Sequence, residues 1–211
     1  LENARLFDET QRLLNEAERR ARESSVLNDV GRDISSTLEL KDVMDKIAHH
    51  ARDLLSASTS AIYLPQGDGS YFQAIAAEGE IAAEIKVDTI HLGQGIIGTL
   101  AQLGQGEFIN DTNHDPRTIQ IPGTPVETEE RLMVAPLLTG DKVGGMMAVW
   151  RNGGNPFVEV DLDFLKRLSM QAAIAIQNAS LFDFINKRAN ELSIINNMIS
   201  GLDPKLDIQT I

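Results

Sequence analysis

The densest group of residues able to do chemistry in this sequence is Asn113-His114-Asp115-Pro116-Arg117. Imidazole at His114 could ligate haem or hydrogen-bond an anionic ligand, with the Arg117 guanidinium as counter-charge. The same residues also make a good turn, because Asn and Asp cap it and Pro fixes φ. Gly93, Gly95 and Gly98 spell GxGxxG ahead of an apolar run. A dinucleotide site of that spelling needs a buried parallel strand and a βαβ unit. The flanking segments read as short antiparallel strands, so the glycines predict a tight turn that folds a short helix over a pocket. Its free amides could still touch an anion. His49-His50-Ala51-Arg52-Asp53-Leu54 is similar to a phosphoacceptor helix, but the usual following Pro is missing and both histidines read as the wet side of a helix. His91 reads as a histidine at the edge of the core.

Other chemistries are excluded by residue type. There is no cysteine, hence no disulfide, thiolate nucleophile, Cys-ligated zinc or thioether-linked cofactor. The four histidines form no HExxH or equivalent metal spacing. No carboxylate pair or nucleophile–base set stands out. The expectation is a protein without catalytic activity on this chain.

These residues must be positioned by 211 amino acids of globular composition, 42% hydrophobic and 24% charged. The formal charge of −12 is concentrated in the middle, where residues 59–150 hold 4 basic and 12 acidic groups. A core so poor in Lys and Arg argues against nucleic acid. No apolar run approaches the roughly 20 residues of a membrane span, and no signal peptide opens the chain. A cytoplasmic protein without membrane insertion is expected. The chain opens at Leu1 rather than Met and reads as a piece of something longer.

Residues 2–36 predict one long polar helix. Leu6, Leu13, Leu27 and Ile34 lie at multiples of seven with Arg20 interrupting, a narrow coiled-coil seam on a charged rod. Near the other end, Leu165, Leu168, Ala172, Ala175, Ala179 and Phe182 step by 3, 4, 3, 4, 3, and a second seam follows through Leu181, Ile185, Leu192, Ile195 and Ile199. A change of seam on one helix is what a stutter produces. Between the rods, residues 39–56 predict an amphipathic helix. Strand-like runs follow at Ser60–Leu64, Tyr71–Ala77, Glu107–Asn110, Arg131–Leu138 and Val143–Trp150, with a short helix at Ile96–Leu103. Gln66–Gly69 and Thr139–Lys142 predict hairpin turns. Residues 111–129 hold three prolines and are long for a plain connector. The fold class is α+β, a five- or six-stranded antiparallel sheet with helices on it. Among the large strand residues, Tyr63, Tyr71, Phe72, Met133, Met146 and Trp150, alternation must turn some toward a pocket side.

The ends also resemble each other. Asn3-Ala4-Arg5-Leu6-Phe7-Asp8 recurs as Asn178-Ala179-Ser180-Leu181-Phe182-Asp183, offset by 175, and Ser25-Val26-Leu27-Asn28 as Ser193-Ile194-Ile195-Asn196, offset by 168. The difference is one heptad, which keeps helical phase. Leu38-Glu39-Leu40-Lys41 is echoed by Leu202-Asp203-Pro204-Lys205. The expected organisation is a linker helix over 1–37, a sensor domain over 38–182, a linker helix over 183–200, and the start of a following repeat domain over 201–211.

Over residues 38–182 the sequence resembles a GAF domain. The resemblance rests on the helix leading into Ala61-Ile62-Tyr63-Leu64, on Gly93-Gln94-Gly95-Ile96-Ile97-Gly98, and on Phe108-Ile109-Asn110-Asp111 before Asp115-Pro116-Arg117. It closes with Met133-Val134-Ala135-Pro136-Leu137 and Val143-Gly144-Gly145-Met146-Met147-Ala148-Val149. It implies a six-stranded antiparallel sheet with linker helices on one face and a small-molecule pocket on the other, capped by short helices and loops. It also implies a sensor or dimerising strut in multidomain signalling proteins, including two-component systems whose kinase or cyclase output domain lies elsewhere. Bilin attachment and methionine-sulfoxide reduction in that family use cysteine, so a covalent bilin is excluded and any cofactor is unknown. The cyclic-nucleotide signature has no match after Asn110 and Asp111. The expected pocket residues are Tyr63, Ile97, Phe108, His114, Arg117, Met133 and Trp150. The expected partners are a second copy of the chain through the linker helices, an unknown small molecule, and adjacent domains of the same polypeptide. The rival expectations are a strut whose pocket is filled by its own side chains and, with less support, a small-molecule enzyme.

Overall fold

Two hairpins build the centre of the sheet. The computed structural model describes residues 40–201, together with Gln11, Ser24 and Ser25. Helix α1 (Leu40–Leu54) buries Val43, Met44, Ile47, Ala48 and Ala51 on one face, with Asp42 in its first turn and Arg52 in its last, both favourable to the helix dipole. Strands β1 (Thr59–Gln66) and β2 (Tyr71–Gly79) form the first hairpin. Helix α2 (Ala82–Val87), strand β3 (Thr89–His91), helix α3 (Gly95–Leu103) and strand β4 (Glu107–Ile109) follow. Strands β5 (Glu130–Thr139) and β6 (Lys142–Asn152) form the second hairpin. Its loop is Gly140-Asp141, with φ of 61° at Gly140, the positive value that the first position of a II′ turn requires. Helix α4 (Glu159–Gly201) closes the described chain.

The six strands lie in the order β3-β2-β1-β6-β5-β4, with every neighbouring pair antiparallel. The expected strands are present. The sixth is β3, three residues long, and α2 was not legible because Glu80–Val87 is short and polar-spaced. Side-chain alternation gives the sheet two buried faces. One carries Ala61, Tyr63, Leu132, Val134, Met146, Ala148 and Trp150, which pack in a single cluster with Ile85 of α2 and Ile96, Ile97, Leu100 and Ala101 of α3. The opposite face carries Ser60, Ile62, Met133, Ala135, Met147 and Val149, all buried. Helix α1 covers that face, where Ser60 Oγ donates to the Ala48 carbonyl at 2.6 Å.

The start of α4 is tied to the sheet. Asn110 brackets Phe157, its Nδ2 donating to the Phe157 carbonyl at 3.0 Å and its Oδ1 accepting the Phe157 amide at 2.7 Å. Asp161 reaches back to accept the Val158 amide at 3.1 Å, a capping contact for the first turn. The helix runs from one compact unit, ending at Ala175, into a second that begins at Ile176.

The first seam on α4 needs correcting. Leu165, Leu168, Ala172 and Ala175 are buried within the single chain, so they belong to the domain core and are unavailable to a partner. The physical cause is that a 3-4 apolar spacing serves a globular core as well as a coiled coil. Ala179 is half-buried and Phe182 is exposed. Leu181, Ile185 and Leu192, of the second seam, are also exposed. Leu6, Leu13, Leu27 and Ile34, the helix expected over 1–37, and residues 202–211 lie outside the described residues. No helix among the described residues is long and apolar enough to cross a membrane.

Candidate functional site

A cavity of about 260 Å³ lies over the Tyr63 face of the sheet. Its floor is Tyr63 of β1, Leu132 and Glu130 of β5, and Trp150 of β6. One wall is Ile81, just ahead of α2, and the segment Asp88–His91, which includes β3. A second wall is Gln94–Ile97, the first turn of α3. The roof is Thr112, Thr118–Pro122 and Thr124, from the proline-containing loop.

The glycines ahead of α3 set that second wall. The Gly93 amide donates to the Gly98 carbonyl at 2.9 Å, and the Gln94 amide to the His91 carbonyl at 3.1 Å. A Cβ on Gly98 would lie 2.1 Å from the His91 carbonyl oxygen, so the helix packs backbone-to-backbone against β3. The GxGxxG spelling is thus explained by close packing of a short helix.

The roof loop is held by its own side chains. Asn113 Nδ2 donates to the Glu127 carbonyl at 3.0 Å, Thr118 Oγ1 to the Thr112 carbonyl, and Thr124 Oγ1 to the Ile121 carbonyl at 2.8 Å. Arg117 fastens the loop to the edge of the sheet, with Nη1 and Nη2 on the two carboxylate oxygens of Glu107 at 2.9 and 3.1 Å. Its Nε and Nη2 hold Asp115 at 2.9 and 2.7 Å. The hydrogen bonds from Arg117 hold the Asp115 carboxyl below the usual carboxylate range, and those from Asp115 and Glu107 raise Arg117 further above its ordinary value.

Two groups in the cavity are electrostatically perturbed. Burial pushes the Glu130 carboxyl above its ordinary pKa; the hydrogen bond from Thr112 opposes this and the charge of Glu127 adds to it. Thr112 Oγ1 lies 2.9 Å from a Glu130 carboxylate oxygen and 3.2 Å from the Glu130 carbonyl, so one proton serves two acceptors. Tyr63 is 1% exposed, and burial, with the nearby charge of Asp88, raises its phenol well above the ordinary range.

The sequence-derived candidates divide. Tyr63, Ile97 and Trp150 line the cavity. Phe108 and Met133 do not. Phe108 pairs across the strands with Met133, and Met133 with Val149, so both project to the α1 face. Their neighbours Ile109 and Leu132, paired in the next register position, face the cavity side. A one-residue choice of phase separates the two sets. His114 stands outside the lining with its side chain 86% exposed, Nδ1 at 2.7 Å from Asp111. Arg117 is committed to Glu107 and Asp115. The cavity adds Asp88, His91, Gln94, Thr112 and Glu130. Of these Glu130 carried a signal, since it lies two residues before Leu132 on the same strand. His49 is half-exposed between Glu78 and Asp53, at 2.9 and 3.2 Å.

A family model described as GAF domain matches residues 37–177. Among solved structures, the GAF domain from Acinetobacter phosphoenolpyruvate-protein phosphotransferase is 20% identical with a TM-score of 0.65, covering 74% of this chain and 93% of that one. Free methionine-R-sulfoxide reductase from Neisseria meningitidis, in complex with its substrate, is 16% identical with a TM-score of 0.64, covering 75% and 90%. The second GAF domain of DevS from Mycobacterium smegmatis is 21% identical with a TM-score of 0.58, covering 70% and 99%. At these identities the likeness is one of fold.

Proposed function

The chain belongs to the GAF domain family, and we propose that it is a non-catalytic sensor and relay module of a larger cytoplasmic signalling protein. In this reading a small molecule binds the cavity, and its occupancy is passed to a dimer of linker helices and on to adjacent domains of the same polypeptide. The carrying observation is the cavity of about 260 Å³, which gives a ligand room that a plugged strut would fill with side chains.

The route outward supports a relay. Trp150 forms part of the cavity floor, and the next residue, Arg151, stacks its guanidinium 4.0 Å from the Phe157 ring centroid at the entry to α4. Arg151 also donates to the Leu55 carbonyl beyond α1 and to the Asn155 carbonyl at 2.7 Å. A shift at Trp150 therefore has a packed path to the ends of two helices. The enzyme reading has the reductase as a fold neighbour, but this chain has no thiol to offer.

The test is native mass spectrometry of the purified chain at several concentrations. A dimer that carries a reproducible extra mass supports the sensor and gives the ligand's mass. A dimer that stays unliganded after incubation with small-molecule mixtures favours the strut. A monomer at every concentration removes the dimeric relay.

A further inference from the structure

The cavity lining holds two carboxylates, Asp88 and Glu130, and neither Lys nor Arg. The arginines next to lining residues are engaged elsewhere: Arg117 by Glu107 and Asp115, Arg131 by the Gly153 carbonyl, and Arg151 by the Leu55 carbonyl and the Phe157 ring. A phosphate or carboxylate entering this space would meet two like charges, with the imidazole of His91 the one lining side chain able to take up a positive charge, and burying a poorly paired anion is costly by the general rule. The first turn of α3 opposes this trend, because a helix N-terminus offers about half a positive charge. Two carboxylates outweigh it.

A second, independent observation points to a ligand. The Tyr63 phenol, in the cavity floor and almost wholly buried, has no hydrogen-bond partner among the described residues. Its hydroxyl is not among the atoms buried without a partner, so it opens onto the cavity, where a ligand N–H or O–H would bond to it. The apolar part of the lining, Ile81, Ile90, Ile119, Ile121, Leu132 and Trp150, would leave a purely polar ligand uncompensated. The volume of about 260 Å³ lies just below the roughly 300–1,000 Å³ of drug-sized ligand sites, so the ligand is small.

We infer that the cavity takes a small organic ammonium ion with an apolar body, its charged head toward Asp88 and Glu130 and its body against the isoleucines and Trp150. The inference rests on the reading of the cavity as a ligand site and names the ligand's chemical class. Trp150 and Tyr63 add ring faces on which a cation is favourable. A hydroxyl or carbonyl at the ligand's far end would meet the free amides of the α3 first turn. Burial of Glu130 fits, because a carboxylate held away from water without a cation is destabilised and a bound ammonium ion restores its partner.

The experiment uses the whole chain and a matched trio: phenethylamine, 2-phenylethanol and phenylacetate. Trp150 is the sole tryptophan of the sequence, so intrinsic fluorescence reads the cavity floor directly. The expected result is saturable binding of the amine at least about tenfold tighter than phenylacetate, the ratio that one hydrogen bond to a charged group supplies. Added salt should weaken the amine and spare the alcohol. In the double variant Asp88→Asn, Glu130→Gln the preference should fall within about threefold, each amide being near-isosteric with the acid it replaces. Phenylacetate binding as tightly as the amine in the unmodified protein would overturn the inference, as would a preference that survives the double variant. Binding of all three with equal affinity keeps the cavity as a site and overturns the charge class alone. No response to any of the three overturns the ammonium reading and removes the support for a ligand site as well.

Discussion

Arg117 grips Glu107 with two parallel hydrogen bonds of 2.9 and 3.1 Å, joining the roof loop of the cavity to the edge strand β4. The bidentate fork has a fixed geometry that Lys cannot reproduce. An arginine whose sequence setting suggested an anion receptor is instead a fastener, its guanidinium engaged by Glu107 and Asp115.

Replacing Arg117 by Ala should loosen the roof more than it unfolds the domain. The pair is partly exposed, so the loss is about 1–2 kcal/mol, below that of a buried charge pair. Urea denaturation gives the stability, and proteolysis within residues 116–126 should accelerate beyond what that stability change accounts for. Arg117→Lys should recover less than half of the loss. Full recovery by lysine would show that charge alone holds the loop.

Asp115 and Glu130 should give opposite pH dependences. The pKa of Asp115 is lowered in the folded protein by Arg117, so its contribution is present above the unfolded value, about 3.9, and is lost as pH falls through the folded one. The pKa of Glu130 is raised chiefly by burial, so the folded state holds its proton more tightly. Stability is then lost as pH rises from its unfolded value, about 4.3, through its folded value. At neutral pH in the absence of ligand, Glu130→Gln should raise Tm and Asp115→Asn should lower it. Both differences should shrink toward acid. Thermal melts across that range check the signs, and a lower Tm for Glu130→Gln at neutral pH would contradict the account of Glu130. His91 and Asp88 share the cavity with Glu130, so the comparison is made in each variant against its own acid limit.

Gly98→Ala should destabilise the domain although it sits in a helix. Alanine in a helix interior gains about 1 kcal/mol over glycine, but the new Cβ would stand 2.1 Å from the backbone oxygen of His91. Overpacking of this kind costs about 1–3 kcal/mol, and a backbone atom cannot move aside as a side-chain end can. The net change is expected to be a loss of up to about 2 kcal/mol, measured by denaturant titration. A Tm unchanged or raised would show that α3 can shift on the sheet.

How far the sequence could be read follows from the same residues. The hairpin turns were legible because Gly140 and Asp141 leave few alternatives, and α1 because Val43, Met44, Ile47 and Ala51 keep one phase. The phase of β5 was not. Its apolar run Leu132–Leu138 is continuous, both sheet faces are covered, and alternation leaves no polar mark to tell Met133 from Leu132. Nothing in the sequence separates Glu130 from its neighbours Glu127 and Glu129, because all three are carboxylates beside a turn. Arg117 was read as free because nothing local reveals that Glu107, ten residues earlier, lies beside it. The α4 spacing misled for a further reason: one period serves two kinds of packing, and only burial distinguishes Leu165 from Ile185.

That distinction yields the last prediction. Leu165 is fully buried in the domain, whereas Ile185 and Leu192 are each 61% exposed and Leu181 is 53% exposed. Leu165→Ala should therefore cost about 2–5 kcal/mol in any oligomeric state. Ile185→Asp should leave domain stability within about 0.5 kcal/mol when measured on dilute monomer. If residues 181, 185 and 192 form a parallel seam, the same aspartate should abolish association, because it would set two like charges against each other in an apolar interface. Analytical ultracentrifugation separates the two effects. The cysteine-free background allows a cleaner check, since single cysteines at 181, 185 or 192 should cross-link between copies under oxidation and one at Lys187 should not. Equal cross-linking at Lys187 would show that the exposed apolar stripe is no seam, and an Ile185→Asp chain that still self-associates would place the dimer contact elsewhere.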